Sequence, residues 1–232
     1  MLDRTDVRIF WQSLRAWGPR EAVIDFTHYY RAKRHERADR FDERFGTETS
    51  RMVGIGSLDG LGANGADAIH YWPTRECEFT ATLDALGDID HSGFTFVDLG
   101  CGKGRVVLLA AAHPFRRAVG VDFSPALVQV AQENVTRYTG PVRARAVEFE
   151  ACDAAEWVVP DGDLVIYMFN PFGPQVLTRV LANLVSAVRA RPRKLYLLYY
   201  SPEYPELVLA AGFLSLVEGS GQNWGWAVYT WD

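Results

Sequence analysis

A segment near the middle of the chain combines an acid with three glycines in alternate positions: Val97-Asp98-Leu99-Gly100-Cys101-Gly102-Lys103-Gly104-Arg105. Apolar residues precede the acid, which predicts a buried strand, then a turn, then a helix. Alternating glycines let the backbone turn tightly and lie directly against a ligand, because no Cβ stands in the way. The chemistry predicted here is the binding of a nucleotide-like ligand at the end of a strand.

Several kinds of nucleotide-binding loop compete for this segment. A P-loop needs Gly-Lys followed by Ser or Thr, and Lys103 is followed by Gly104, which excludes that class. A dinucleotide loop needs G-x-G-x-x-G, and here the third glycine comes one residue early. Asp98 would also lie unfavourably close to the pyrophosphate of a dinucleotide. A ligand with an ammonium group and an uncharged nucleoside fits better, and S-adenosyl-L-methionine is such a ligand.

A second string, Gly60-Leu61-Gly62-Ala63-Asn64-Gly65, matches G-x-G-x-x-G letter by letter. No apolar strand precedes it and a poor helix follows it, so we interpret it as a loop. Because glycine-rich loops of this kind also bind dinucleotides, a nicotinamide-dependent oxidoreductase stays a rival class. A cofactor-binding assay distinguishes it from our interpretation.

Two further acids follow the next two predicted strands. Asp122 ends the strand before Phe123 and lies 24 residues after Asp98. In this kind of strand–helix unit, a carboxylate at that position accepts hydrogen bonds from both ribose hydroxyls. Asp153 follows the third strand, where an acid can accept from an adenine amino group or simply serve in a turn. Both interpretations of Asp153 stay open.

Strands and helices that could hold these loops alternate from residue 94 onward. The predicted strands are 94–99, 118–121, 142–149, 164–169, 195–200, 213–217 and 226–231. The predicted helices are 105–112, one opening at Ser124-Pro125, 176–188 and 206–211. This alternation with a terminal hairpin indicates an α/β fold with a doubly wound, mostly parallel sheet and an antiparallel strand at or near its edge.

Upstream of the alternation, residues 1 to about 45 indicate polar helices. Residues 46–70 then hold six glycines, a length and composition typical of a lid or hinge. We therefore predict an N-terminal helical extension with a Gly-rich loop over residues 1–70, which caps the substrate, and a catalytic domain over residues 71–232.

Together, the glycine loop and the acids Asp98, Asp122 and Asp153 resemble, in order and spacing, the motifs of the class I S-adenosyl-L-methionine-dependent methyltransferases. The resemblance covers about residues 70–232 and implies a Rossmann-like, seven-stranded sheet with a C-terminal antiparallel hairpin. The cofactor-binding residues it implies are Tyr71, Thr74, Asp98, Gly100, Gly102, Gly104, Asp122, Phe123, Asp153 and Asn170.

A narrower resemblance rests on Tyr71-x-Pro73-Thr74, the glycine loop and Asn170-Pro171-Phe172. This combination is similar to small bacterial relatives of the non-SET, seven-strand lysine methyltransferases. Thr74 is also predicted as the N-cap of a helix that carries Glu76 and Glu78 in its first turn.

The fourth predicted strand ends in Asn170-Pro171-Phe172, at the sheet edge that faces the ligand crevice. Many nitrogen-directed methyltransferases have Asn/Asp-Pro-Pro-aromatic here; the polar side chain and a backbone carbonyl hold N–H groups, and the ring packs on the acceptor. This chain has one proline, so an amine acceptor is at least as well supported as an amide or a base. The alternative is that Asn170-Pro171 only ends the strand and Phe172 is core.

The neighbouring fifth strand ends in Tyr199 and Tyr200, and one of these could hold an ammonium group by cation–π attraction. Successive side chains of a strand point to opposite faces, so at most one of the two can face the crevice. The predicted catalytic residues are Asn170, Pro171, Phe172 and Tyr199.

Composition limits the partners and the location. With 24 Lys and Arg against 29 Asp and Glu, the net charge of −5 argues against nucleic acid bound without sequence preference. Three scattered cysteines form no CxxC pair and the five histidines show no ligand spacing. These features predict no metal site and a reducing, cytoplasmic location. The longest apolar run, 106–112, is too short to cross a membrane, and residues 1–6 do not resemble a signal peptide.

We therefore expect a methyltransferase that uses S-adenosyl-L-methionine, releases S-adenosyl-L-homocysteine and methylates a nitrogen of a protein amine or a small molecule. The alternatives are transfer to oxygen or carbon of a small molecule, and a non-catalytic S-adenosyl-L-methionine-binding protein that shows no turnover.

Overall fold

Strands alternate with helices through most of the computed structural model, which describes residues 40–50, 72–220 and 225–231 and, singly, Trp11, Leu14, Pro19 and Val23. The chain divides into two compact units, Met1–Arg40 and Phe41–Asp232. Apart from those four single residues and residues 40–45, the predicted N-terminal helices lie outside the described residues, as do the glycine string at 60–65 and Tyr71. The division at residue 70 stays a prediction.

The sheet contains β1 (Phe94–Leu99), β2 (Arg117–Asp122), β3 (Val147–Ala151), β4 (Asp163–Phe169), β5 (Leu195–Tyr200), β6 (Leu214–Ser220) and β7 (Gly225–Trp231). Its order is β3-β2-β1-β4-β5-β7-β6. All neighbours are parallel except β7, which is antiparallel to both β5 and β6. The doubly wound sheet and its terminal hairpin are thus confirmed. The strand order reverses between β1 and β4, and open α/β sheets bind ligands at such a reversal.

The helices are α1 (Phe41–Phe45), α2 (Glu76–Asp84), α3 (Arg105–Ala111), α4 (Pro125–Arg137), α5 (Pro174–Ala190) and α6 (Pro205–Ala210). One face of the sheet packs on α5 and α6 and the other on α2 and α3. Strand β1 is buried along its whole length, as a central parallel strand covered on both faces must be. The carboxyl ends of β1 and β4 are therefore held rigidly side by side.

The third strand begins five residues later than predicted, at Val147 instead of residue 142. The reason is that the N–H groups of Arg143 and Ala144 bond to the carbonyl of Ala111, at 2.7 and 3.0 Å. These bonds tie the segment before β3 to the end of α3 and withhold it from the sheet.

Residues 41–50, which we call the strap, pack against the start of α3. The Asp42 carboxylate accepts bonds from the hydroxyls of Thr47 and Thr49 and from the N–H groups of Thr49 and Ser50. Buried Arg105 donates to the Thr49 hydroxyl and the Ser50 hydroxyl, both at 2.7 Å. Its guanidinium also lies 4.7 Å from the centre of the Phe41 ring.

The strap also contacts the glycine loop directly. Lys103, within that loop, is 3% exposed and donates to the carboxylate of Glu48. Asn134 of α4 accepts from the Glu48 N–H at 2.7 Å and donates to the Lys103 carbonyl at 3.0 Å. The strap therefore fixes the side of the glycine loop that carries Lys103, and residues 41–45 are part of the core unit.

We expect Asp42→Asn to lower stability by about 1–2 kcal/mol, because an amide cannot replace all the bonds that the two carboxylate oxygens accept. Burial raises the pKa of Asp42, but bonds from Ser50, Thr47 and Thr49 lower it more, so the net pKa lies below 3.8. This stabilisation is therefore present above pH 3.8 and is lost as the pH falls through the lowered pKa.

At pH 7, the unfolding temperature of Asp42→Asn should be lower than that of the wild type by about 2–4 °C per kcal/mol. This difference in unfolding temperature should become smaller in strong acid. Exposed Asp88 supplies the matched control, Asp88→Asn, which should unfold like the wild type. Equal unfolding temperatures for Asp42→Asn and the wild type at pH 7 would show that the strap adds no stability through this carboxylate.

Candidate active site

The glycine loop adopts backbone conformations that favour glycine at all three predicted positions. Gly100, Gly102 and Gly104 have φ of 84°, 52° and 83°, in the left-handed region that other residues rarely adopt. The N–H groups of Gly100 and Cys101 both bond to the carbonyl of Val121, at 2.8 and 3.0 Å. The loop is thus anchored to the carboxyl end of β2.

Gly100 also lies in close contact with the end of β4. A Cβ on Gly100 would come within 2.6 Å of the Cβ of Pro171, a distance that real Cβ atoms do not reach. The glycine loop and the Asn170-Pro171 segment therefore meet at the reversal of strand order, so that a ligand on the loop lies next to the end of β4.

Asp98 ends β1 as a buried carboxylate, with 3% of its surface exposed. Within the part of the chain that the structure describes, no group donates a hydrogen bond to it. Burial, and secondly the charge of Asp122, raise the pKa of Asp98 well above its ordinary value. A desolvated carboxylate without a donor is unfavourable on its own, and the ammonium of S-adenosyl-L-methionine would compensate it.

Asp122 ends β2 beside the same loop. Its two oxygens accept separate backbone bonds, from Gly102 N–H at 2.8 Å and Ser124 N–H at 2.9 Å. Burial raises the pKa of Asp122, although these two bonds lower it. Each carboxylate oxygen has a further lone pair, so the group can hold the loop and still accept bonds from a ribose diol.

We expect Asp122→Ala to reduce affinity for S-adenosyl-L-methionine at least about tenfold, because hydrogen bonds to a charged acceptor contribute about 1.5–3 kcal/mol each. The unfolding temperature should also fall, since two backbone N–H groups lose their acceptor. Calorimetric titration of a variant whose circular dichroism is native-like checks this. An affinity equal to that of the wild type would contradict the ribose assignment.

Asp153 forms a turn in the structure, accepting a bond from the Ala155 N–H at 2.9 Å; its adenine contact stays a prediction. Phe123 is half-buried after β2. The N-cap prediction for Thr74 is wrong, because α2 is capped by Arg75, without a side-chain bond. The Thr74 hydroxyl instead lies 3.2 Å from that of Tyr167, which places it near Asp98, the residue paired with Tyr167 in register.

Asn170 and Pro171 lie directly after β4, at the predicted edge. Asn170 has φ of 40°, a conformation that asparagine tolerates better than most residues and that is often found at functional sites. Phe172 is half-buried and packs on the core beside α5. The structure therefore brings Asn170 and Pro171 to the glycine loop, while Phe172 has at least a partial core role.

Tyr199 takes a different place from the predicted ring-face contact. Its ring is 1% exposed and belongs to the core on the α5 side, and Tyr200 is equally buried on the other face. The faces of both rings are therefore covered. The Tyr199 hydroxyl reaches the site instead, donating to Oδ1 of Asn170 at 2.9 Å.

Glu203 is a site residue that the sequence analysis missed. It lies three residues beyond β5, and its Oε2 accepts from Nδ2 of Asn170 at 2.8 Å. Its only signal in the sequence is an acid close behind a strand that ends in the crevice.

In residues 72–220, no group of three or more His, Cys, Asp or Glu is arranged to hold a metal ion. The described helices are too short or too polar to cross a membrane.

Comparison of the sequence with known families places a methyltransferase domain at residues 96–191. The chain is 44% identical over 52 residues to the ribosomal protein L11 methyltransferase of Alteromonas mediterranea, covering 22% of this chain and 18% of that enzyme. It is 36% identical over 89 residues to the trans-aconitate 2-methyltransferase of Streptomyces coelicolor, covering 38% and 28% of the two chains. The chain thus spans less than a third of the length of these relatives.

Among solved structures, a Pyrococcus horikoshii protein provisionally described as an RNA methyltransferase superposes with a TM-score of 0.50 and 18% identity, covering 76% of this chain and 92% of that one. A predicted N6-adenine-specific DNA methylase of Listeria monocytogenes superposes with a TM-score of 0.51 and 15% identity. The match covers 68% of this chain and 51% of that one. These structures share the fold. Residues 96–191 therefore match a methyltransferase domain, and the chain shares the fold of these methyltransferase structures.

Proposed function

We propose that the chain transfers a methyl group from S-adenosyl-L-methionine to a nitrogen of its acceptor, either an amine of a protein or a small-molecule amine. The observation that carries the proposal is the contact between Gly100 and Pro171. That contact joins a cofactor loop flanked by two buried acids to a strand end that carries Asn170.

The residues of the loop fit the cofactor. Bound S-adenosyl-L-methionine supplies a methyl group made electrophilic by a sulfonium. Asp98 would hold its ammonium, which compensates the buried carboxylate. Asp122 would accept from the ribose hydroxyls while it anchors Gly102. The three glycines let the backbone approach without a Cβ in the way.

The protein's main contribution to catalysis is to place the nucleophile in line with the S–CH₃ bond and to exclude water. An amine acceptor would have to lose a proton, which water can take, before its nitrogen lone pair could attack the methyl group. Asn170 would orient this nitrogen, because its Oδ1 keeps a second lone pair beyond the bond from Tyr199. A nearby backbone carbonyl would accept a second N–H.

Acceptor chemistry is the part of the proposal that the relatives leave open. They are named for a ribosomal protein, for trans-aconitate, for RNA and for DNA. Two features support an amine here: the acceptor oxygen of Asn170 and the acidic net charge of −5, which disfavours nucleic acid. The cytoplasmic location stays a prediction.

The experiment that tests the proposal is transfer of a labelled methyl group from S-adenosyl-L-methionine into a cell lysate, separated into protein and small-molecule fractions. We expect label in one fraction, with Asp122→Ala as the cofactor-site control that transfers less label when S-adenosyl-L-methionine is below saturation. A folded protein that binds the cofactor but labels neither fraction would support the non-catalytic alternative.

A further inference from the structure

Three side chains form a hydrogen-bonded chain at the ends of β4 and β5. The Tyr199 hydroxyl donates to Oδ1 of Asn170 at 2.9 Å, and Nδ2 of Asn170 donates to Oε2 of Glu203 at 2.8 Å. The chain begins at a buried ring and ends at an exposed carboxylate. It therefore runs from the rigid core to the mouth of the crevice.

The direction of these bonds is dictated by the groups themselves. A carboxylate can only accept, so the Asn170 amide must present its NH₂ to Glu203 and its oxygen to Tyr199. Burial raises the pKa of the Tyr199 hydroxyl, against a lowering by the backbone N–H groups of Glu203 and Tyr204 that approach its oxygen. Oδ1 of Asn170 can only accept, so the Tyr199 hydroxyl donates to it, and the amide cannot flip without losing both bonds.

The backbone supports the same arrangement. In residues 40–50, 72–220 and 225–231, the only non-glycine residues with positive φ are Asn170 and Ser201, at 40° and 51°. They directly follow the neighbouring strands β4 and β5. Ser201 is held by its N–H, which bonds to the carbonyl of Gly225 on β7 at 2.8 Å. This bond fixes the start of the loop that carries Glu203.

Glu203 is left with accepting capacity and a negative charge. Among the described residues no Lys or Arg forms an ion pair with it, and Asn170 fills only one of its lone-pair sites. A carboxylate acceptor would be repelled here, and a neutral hydroxyl would leave the charge uncompensated. An alkylammonium group would pair with it and donate a charge-assisted bond.

We propose that Glu203, aligned by Asn170 and Tyr199, is the acceptor-binding carboxylate that selects protonated primary amines over hydroxyl and carboxylate acceptors. This inference rests on the proposed nitrogen-directed transfer and names its substrate class. An alkylammonium group can come from a lysine side chain or from a free small amine, and the two sources share this chemistry.

The test uses the full chain saturated with S-adenosyl-L-homocysteine and two calorimetric probes, n-butylamine and a short lysine-containing peptide. Their counterparts are n-butanol and the same peptide with acetyl-lysine. We expect at least one amine probe to bind, neither counterpart to bind as well, and Glu203→Gln to weaken amine binding about tenfold or more. The tighter of the two amine probes identifies the source. Glu206→Gln, an exposed glutamate on α6, is the matched control and should bind like the wild type.

Turnover separates this inference from the proposed function. With the acceptor fraction found by labelling, Glu203→Gln should raise the KM for the acceptor more than it lowers kcat, while affinity for S-adenosyl-L-homocysteine stays unchanged. The role of Glu203 is overturned if Glu203→Gln matches the wild type in amine affinity and KM, or if the wild type binds no amine probe. Transfer of label by the wild type to oxygen alone would instead overturn the nitrogen-directed function.

Discussion

Replacing Asn170 by alanine is expected to slow methyl transfer by about 100-fold or more, while affinity for S-adenosyl-L-methionine changes little. The substitution removes the amide that joins Tyr199 to Glu203 and that we propose orients the attacking nitrogen. Loss of an orienting contact lowers the rate of the chemical step. The cofactor should keep its affinity because its acids, Asp98 and Asp122, lie on β1 and β2.

Single-turnover transfer with saturating cofactor measures this effect. Alanine is also strained at the φ of 40°, so Asn170→Gly serves as a second variant that removes the amide and tolerates the backbone. Both should be slow. The matched control is Asn183→Ala on α5, whose amide donates to the Trp157 carbonyl at 2.7 Å and which should transfer at nearly the wild-type rate. A near-normal rate for Asn170→Gly would exclude the orienting role.

Asp98→Asn is expected to have opposite effects on stability and on binding. Burial and the charge of Asp122 raise the pKa of Asp98 in the folded protein, so the ionised carboxylate is destabilising there. The unfolded chain ionises near 3.8, and the wild type therefore loses stability as the pH rises from 3.8 through the raised pKa. Asparagine stays neutral, so the cofactor-free variant should be more stable than the wild type at pH 7 and equally stable below pH 3.8.

The same change should reduce the affinity for S-adenosyl-L-methionine about tenfold or more, because the ammonium of the cofactor loses a charged partner. Thermal unfolding with and without the cofactor measures both effects, at about 2–4 °C per kcal/mol for a chain of this size. Asp88→Asn, at an exposed residue between α2 and β1, should change neither the unfolding temperature nor the affinity for the cofactor. If Asp98→Asn unfolds at a lower temperature at pH 7 and binds the cofactor normally, Asp98 is a structural residue and the assignment is wrong.

Elements with continuous apolar runs could be predicted from the sequence most closely. Strands β1 and β5 lie at the predicted residues 94–99 and 195–200, because such runs suit only a strand buried on both faces. Strand β3 could not be placed as well, since Val147–Ala151 contains two glutamates and none of its residues is fully buried. Its start depends on bonds to Ala111, which no local pattern shows.

The residues of the site likewise differ in how far the sequence predicts them. The glycine loop and its acids were predictable because their geometry is local: a strand end, a turn and a helix start. Glu203 bonds to a residue 33 positions away, and Arg105 to one 56 positions away, so these partners become visible only in the fold. The burial of the Tyr199 ring was likewise not decided by strand alternation, because both faces of the sheet at β5 are covered.

The most direct test of nitrogen-directed transfer is the chemical position of the methyl group that the wild-type chain transfers from labelled S-adenosyl-L-methionine. The labelled product should be treated with mild alkali and then fragmented by mass spectrometry. We predict that the label survives alkali and is found on an amine nitrogen. Label released as volatile methanol would mark a methyl ester, and label found on oxygen or carbon in the fragments would equally contradict the account.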